Sequence, residues 1–228
     1  MIKKFFLAAL CILTACGGGD KQNTLRVGVS PDFPPFAMKV EGELRGHDID
    51  MMEKVGEKLG RKIIFKEMDF SALIPALLAK KIDVAISGVS PTKERREKVL
   101  FTRPYYGEEN CILFNTDKKL FKTVQDITDQ TKVAATLGVT QQAIVEKHFK
   151  MHRFYNNNFQ MVEDLKIGRI DVVIIGKEQC IKFKEKYPNL DFFTLPKKYN
   201  QDSYFAIAVR KDLKELVGEL DTIIKNDL

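Results

Sequence analysis

Lys81-Ile82-Asp83-Val84-Ala85-Ile86-Ser87-Gly88 runs from a basic pair into a short apolar stretch and stops at glycine. Arg169-Ile170-Asp171-Val172-Val173-Ile174-Ile175-Gly176 repeats that pattern at an offset of 88 residues. An unbroken apolar run of this length, without polar alternation, marks a strand covered on both faces. In each copy a helix ending in basic or glycine residues feeds such a strand, so the chain is expected to hold two lobes of similar topology.

Working outward, the pattern alternates strands and helices. Strands are predicted at 25–29, 62–66 and 83–87. A helix at 48–59 carries the stripe Ile49, Met52, Val55 and Leu59, with Asp48 as N-cap and Gly60 as stop. A second at 71–80 places Pro75 near its first turn, where a missing NH costs least. Strands separated by helices argue for parallel sheets with helices on both faces, the doubly wound α/β arrangement. After Pro104-Tyr105-Tyr106-Gly107-Glu108-Glu109-Asn110 a strand at 111–115 crosses away, and one at 204–209 crosses back. One lobe is therefore expected at 24–109 plus 205–228 and the other at 110–204, with the two crossings as a hinge.

Beyond the first copy, Ser87-Gly88-Val89-Ser90-Pro91-Thr92-Lys93-Glu94-Arg95 takes the chain from a strand end into a helix start, with Thr92 as a credible cap. Free NH groups there favour an anion, and Arg95 in the same turn can offer a two-pronged fork to a carboxylate. The turn lies at the carboxyl end of a parallel strand, where open α/β sheets bind ligands. In the other lobe Lys132-Val133-Ala134-Ala135-Thr136-Leu137-Gly138-Val139-Thr140-Gln141-Gln142 has the same form, with Thr140 as the expected cap. Two such starts facing one another could close on one small anion. Phe33 and Phe70 follow strand exits on the same side and could sandwich a ligand side chain or serve as core.

The first residues are of another kind. Lys3 and Lys4 precede nine apolar or small residues from Phe5 to Leu13 and then Thr14-Ala15-Cys16. That is the pattern of a secretory signal, about half the length of a membrane span. Its end resembles a lipobox, in which Cys16 becomes an acylated first mature residue, and residues 17–23 read as a flexible tether. Loss of Lys3 and Lys4 takes the formal charge from +6 to +4. The remaining lysines are scattered and no nucleic-acid recognition motif appears. Cys111 and Cys180 remain, their pairing open. His148 and His152 stand four apart on a predicted helix, but without HExxH they read as an exposed face rather than metal ligands. No cofactor is expected.

In order along the chain, Pro34-Pro35-Phe36, Gly46-His47-Asp48-Ile49-Asp50, Asp69-Phe70-Ser71-Ala72-Leu73-Ile74-Pro75-Ala76-Leu77, Ile82-Asp83, Ser90-Pro91-Thr92-Lys93-Glu94-Arg95 and Phe101-Thr102-Arg103-Pro104-Tyr105 resemble the family 3 extracytoplasmic solute-binding proteins, receptors of polar amino-acid ABC importers. The resemblance covers nearly all of the mature chain. It implies a two-lobed periplasmic-binding-protein fold of type II, each lobe a mixed, mostly parallel sheet flanked by helices, joined by a two-strand hinge. It further implies a monomer held at a bacterial membrane by its lipid, with an amino acid as ligand and permease subunits as partners.

By the same resemblance Arg95 grips the ligand carboxylate with backbone help at Ser90 and Thr140, beside Gly138. Ser87 and Gly88 lie where the amino group binds, Phe33 and Phe70 flank the side chain, and Ser30 takes a position often acidic in receptors for basic amino acids. The sequence departs from the family at Gly176, where an acid usually meets the ligand ammonium; either Glu178 or another carboxylate such as Asp202 substitutes, or the ligand is not an ordinary α-amino acid. The chain also ends at Leu228, short of the family's usual last helix. Two other readings share these features: a dehydratase-like enzyme on the same fold, with Glu178 as the candidate general acid, and a sensor lipoprotein without transport.

Overall fold

The computed structural model describes residues 23–199 and 203–227. The expected signal, Cys16, the expected tether to residue 22 and Asp202 lie outside the described residues.

Two five-stranded sheets carry the fold, and they match position by position. In the first the order is Lys62–Glu67, Thr24–Val29, Val84–Ala85, Ala208–Val209 and Leu100–Phe101. The first three are parallel, and Ala208–Val209 runs antiparallel to both of its neighbours. The second is ordered His152–Tyr155, Val133–Thr136, Val172–Gly176, Asn110–Asn115 and Leu190–Thr194, again with three parallel strands and an antiparallel fourth. The two copies of the repeated sequence occupy the same central place in both sheets. Neighbouring residues there, Val84 and Ala85 or Val172 and Val173, belong to separate buried clusters on opposite faces. Burial on both sides is what the unbroken apolar runs encode; each large aliphatic side chain so covered contributes about 1.5–3 kcal/mol.

The aspartates of the repeat are equivalent too. Asp83 accepts the NH of Arg26 at 2.9 Å, and Asp171 accepts the NH of Lys132 at 2.7 Å. Asp83 also binds the Arg26 guanidinium through both oxygens and meets Arg210 at 3.1 Å. Burial pushes its carboxyl up, but these cations more than offset it and hold the group below the usual carboxylate range.

Several boundaries differ from expectation, each for a local reason. The ladder of the third strand shortens to Val84–Ala85 because Ser87, at φ 126°, turns the chain out of the sheet. The helix expected at 71–80 is a single 3-10 turn, Phe70–Ala72, followed by Leu73–Leu78. His47–Leu59 starts from Gly46, not Asp48. Gly46 sits at φ 125°, and an added Cβ would lie 2.3 Å from the Phe36 carbonyl oxygen, so only glycine fits. Asp48 is left inside the first turn, fully buried, accepting the Tyr105 hydroxyl at 2.9 Å. Gly60 ends that helix in the left-handed region, as expected.

The expected strand at 204–209 divides in two. Ser203–Phe205 pairs antiparallel with Tyr106–Glu108, and this two-stranded ribbon lies where the chain passes between the sheets. Past Ala208–Val209 a final helix, Lys214–Asp227, places Leu216, Leu220, Ile223 and Ile224 in one core with Ile49, Met52 and Val55.

Candidate functional site

A cleft opens between the sheets at the carboxyl ends of their parallel strands. Ser30, Phe33, Phe70, Ser87, Gly88, Ser90, Arg95 and Thr140 all line it; of the expected residues only Gly138 stands outside the lining.

Arg95 lies in the short helix Lys93–Arg96, whose cap Thr92 accepts the Arg95 NH at 3.3 Å. Its guanidinium reaches back to the Ser90 carbonyl at 2.7 Å and across to the Gly138 carbonyl, also at 2.7 Å. The Phe70 ring lies 5.3 Å beneath it. Both hydrogen bonds end on neutral carbonyls, and burial lowers the Arg95 pKa to about 10. A cation is thus held in a low-dielectric cleft where a carboxylate would relieve it. Gly138 therefore contributes through its carbonyl oxygen while its NH donates to Gln142 Oε1 at 2.7 Å.

The helix on the other wall, Thr140–His148, is capped by Val139; Thr140 is its first residue, not the cap, and its hydroxyl turns to Gln141 Oε1 at 3.3 Å. His148 ends that helix and His152 begins the next strand, so the expected single helix face does not exist. His148 packs edge-on to Tyr199, and the His152 ring meets the Phe149 carbonyl. Among the described residues no group of three His, Cys, Asp or Glu is placed to hold a metal.

Two hydroxyls expected to face a ligand are engaged locally. Ser87 Oγ accepts the Ser30 NH at 2.9 Å, and Ser30 Oγ donates to Asp32 Oδ1 at 2.7 Å. Asp32 is a site residue that sequence reasoning missed. Its other oxygen accepts the Asn158 NH from the opposite lobe at 2.6 Å, while Asn158 Nδ2 donates to the Asp32 carbonyl at 3.1 Å. Burial raises the Asp32 pKa against the pull of these donors.

Gly88, at φ 65°, forms the floor beneath Phe33: an added Cβ would sit 2.5 Å from that ring. Phe33 in turn stacks on Phe36 at 4.9 Å and meets the edge of Phe205 at 5.6 Å. Phe205 and Glu108, both from the hinge ribbon, line the cleft as well. Neither was expected; Glu108 is the buried residue of its short strand, which the sequence Tyr106-Gly107-Glu108-Glu109 does not reveal.

Glu178 does not line the cleft and takes the Tyr106 hydroxyl, whereas Gln179 beside it does line the cleft. Glu108 is 8 % exposed, its Oε1 lacks a hydrogen-bond partner, and its pKa is pushed up to about 8, first by burial and then by Cys111, Glu178 and Asp48. Cys111 and Cys180 are both buried, free thiols sharing a hydrogen bond.

Comparison with known proteins agrees with this architecture. The chain is 30 % identical to the arginine-binding extracellular protein ArtP of Bacillus subtilis, over 96 % of this chain and 89 % of that protein. With a probable histidine-binding protein of Campylobacter jejuni it shares 31 % identity across 98 % of both. The arginine-bound form of truncated ArgBP from T. maritima superposes with a TM-score of 0.83 at 32 % identity, over 90 % of this chain and 97 % of that one. Residues 25–226 match the model of a single family, and the chain belongs to it: the bacterial extracellular solute-binding proteins, family 3.

Proposed function

We propose that this protein is the amino-acid-binding receptor of an ABC importer, with lobes at 24–109 plus 205–228 and at 110–204 closing on one ligand. The observation that carries the reading is Arg95: a half-buried guanidinium, stacked on Phe70, bonded to a carbonyl of each lobe and to no compensating carboxylate in those bonds. A ligand carboxylate entering the cleft exchanges neutral acceptors for a charged one, each such bond contributing about 1.5–3 kcal/mol. Backbone NH groups at Ser90 and Thr140 would complete the grip on that carboxylate. Phe33 and Phe70 bound the space for the ligand side chain, and the Ser87–Gly88 turn faces the amino group.

The names of the relatives support an amino acid as ligand and ABC permease subunits as partners. Residues 1–15 serve as a secretory signal and Cys16 as the lipid-bearing first residue, which places a monomeric receptor at the outer side of a bacterial membrane. Among the described residues no helix is long and apolar enough to cross one. The protein binds and releases its ligand unchanged.

Thermal unfolding in the presence of each of the twenty amino acids tests this, because a ligand of the native state alone raises stability by RT ln(1 + [L]/Kd). At least one amino acid is expected to raise the midpoint, and its carboxyl ester is expected not to. No shift with any of the twenty would end the reading.

A further inference from the structure

Gly176 closes the central strand of the second sheet and caps the helix Lys177–Lys186. A Cβ built on it would fall 1.8 Å from Glu108 Oε1 and 2.1 Å from Glu108 Cδ. The Glu108 carboxyl, arriving from the hinge ribbon, therefore fills the volume that a side chain at 176 would occupy. It lines the cleft, and Oε1 is buried without a partner. Next to it in the lining, Gln179 is 3 % exposed and its Nε2 is unpartnered as well.

We propose that Glu108 is the specificity-determining residue that receives the ligand's α-ammonium group, and that the carboxyl supplied from the hinge does this in place of one on the second-lobe strand at Gly176. The inference rests on the receptor reading above and deepens it. A buried carboxylate with no counter-charge is costly, so the empty cleft holds Glu108 as the neutral acid. An incoming ammonium supplies the missing charge. The Glu108 O–H bond then breaks, its proton passes to solvent, and the carboxylate pairs with the ammonium; no bond of the ligand changes. Arg95 and Glu108 thus read the two charges of a zwitterion, and a plain carboxylic acid satisfies only the first.

The groups that surround Glu108 are Asp48 and Tyr105 from the first lobe, Tyr106 on its own strand, and Cys111, Glu178 and Cys180 from the second lobe. Three of them, Asp48, Glu178 and Cys111, disfavour a charge on Glu108 in the empty cleft, which agrees with the acid form there.

Calorimetric titration tests the proposal, using L-histidine, L-arginine and L-glutamine and, as a probe lacking the ammonium, 3-(imidazol-4-yl)propionate. Measured at pH 7 in two buffers of different ionisation enthalpy, the full-length protein is expected to release close to one proton per amino acid bound. Glu108→Gln, which keeps the shape of the side chain, is expected to abolish that release, to weaken the amino acid 10- to 100-fold and to leave the propionate unchanged. The pair Glu108→Ala with Gly176→Asp, which moves the carboxylate onto the strand, is expected to recover amino-acid binding relative to Glu108→Ala alone. If Glu108→Gln binds the amino acid as tightly as the parent and still rejects the propionate, the assignment of Glu108 is wrong while the receptor reading stands. If the parent protein binds none of the twenty amino acids, both fall.

Discussion

Asp32 and Asn158 hold each other across the cleft: one carboxylate oxygen of Asp32 takes the Asn158 NH at 2.6 Å, and the Asn158 amide returns a bond to the Asp32 carbonyl at 3.1 Å. These residues belong to different lobes, so the pair exists only when the lobes are together. Removing the Asp32 side chain costs a charge-assisted bond of about 1.5–3 kcal/mol, which belongs wholly to the closed form. Asp32→Ala is expected to weaken ligand about 10- to 100-fold and to enlarge the radius of gyration of the unliganded protein in solution scattering. Equal scattering profiles for parent and variant would show that closure does not depend on the pair.

Arg95 separates charge from geometry. A lysine keeps the charge but cannot span the Ser90 and Gly138 carbonyls with one planar fork. Arg95→Lys is therefore expected to lose about two orders of magnitude in affinity, and Arg95→Ala to bind no amino acid at millimolar concentration. The lowered pKa of Arg95 means that the ligand-free fold bears a penalty for its charge. Arg95→Met is accordingly expected to unfold at a higher temperature than the parent when both are empty, a gain visible in calorimetric scans without ligand.

Gly88 should tolerate no side chain. Its left-handed backbone costs an L-residue about 1–2 kcal/mol, and the added carbon meets the Phe33 ring, itself stacked on Phe36. Gly88→Ala is expected to lower both stability, by 2 kcal/mol or so in urea titration, and affinity, because Phe33 must leave its place. Gly42, at φ 87° but with open space around it, is the matched control: Gly42→Ala should show only the backbone part of the loss and leave binding intact.

The response to pH follows from two buried acids. Asp48 is pushed up to about 7 and Glu108 to about 8, chiefly by burial. Both pKa values are raised above those of the unfolded chain, so the stability these groups contribute is complete below about pH 4 and is lost as pH rises through 7 and 8. Between pH 5.5 and 8.5 the unfolding midpoint of the empty protein should fall. Asp48→Asn and Glu108→Gln should each flatten that slope, and a parent curve that rises with pH over this window would contradict the assignment.

Much of this molecule can be read from its residues because the information is local. The apolar runs ending at Gly88 and Gly176 imply central strands, and their shared Asp places an acceptor for the NH of a neighbouring strand in both lobes, at Asp83 and Asp171. The Thr92 cap and the position of Arg95 in the cleft likewise follow from a few adjacent residues. What was not legible is set by distant parts of the chain. Asp48 looks like a cap and is instead buried, because Tyr105, far along the sequence, reaches it. Ser87 offers its hydroxyl to the Ser30 NH rather than to the cleft. Glu108 could not be distinguished from its exposed neighbour Glu109, which pairs with Lys177, until the hinge ribbon and Gly176 were brought together.

The strand Ala208–Val209 lies between Val84–Ala85 and Leu100–Phe101, yet it is joined to them only by way of the entire second lobe. A chain made amino end first cannot finish its first sheet until the residues of the second have been made. The second sheet, drawn from one continuous stretch, closes on shorter loops and should form first. In pulsed hydrogen exchange during refolding, Val172–Gly176 is expected to gain protection ahead of Val84–Ala85, so the sheet inserted in mid-chain would be the scaffold on which the divided one is completed.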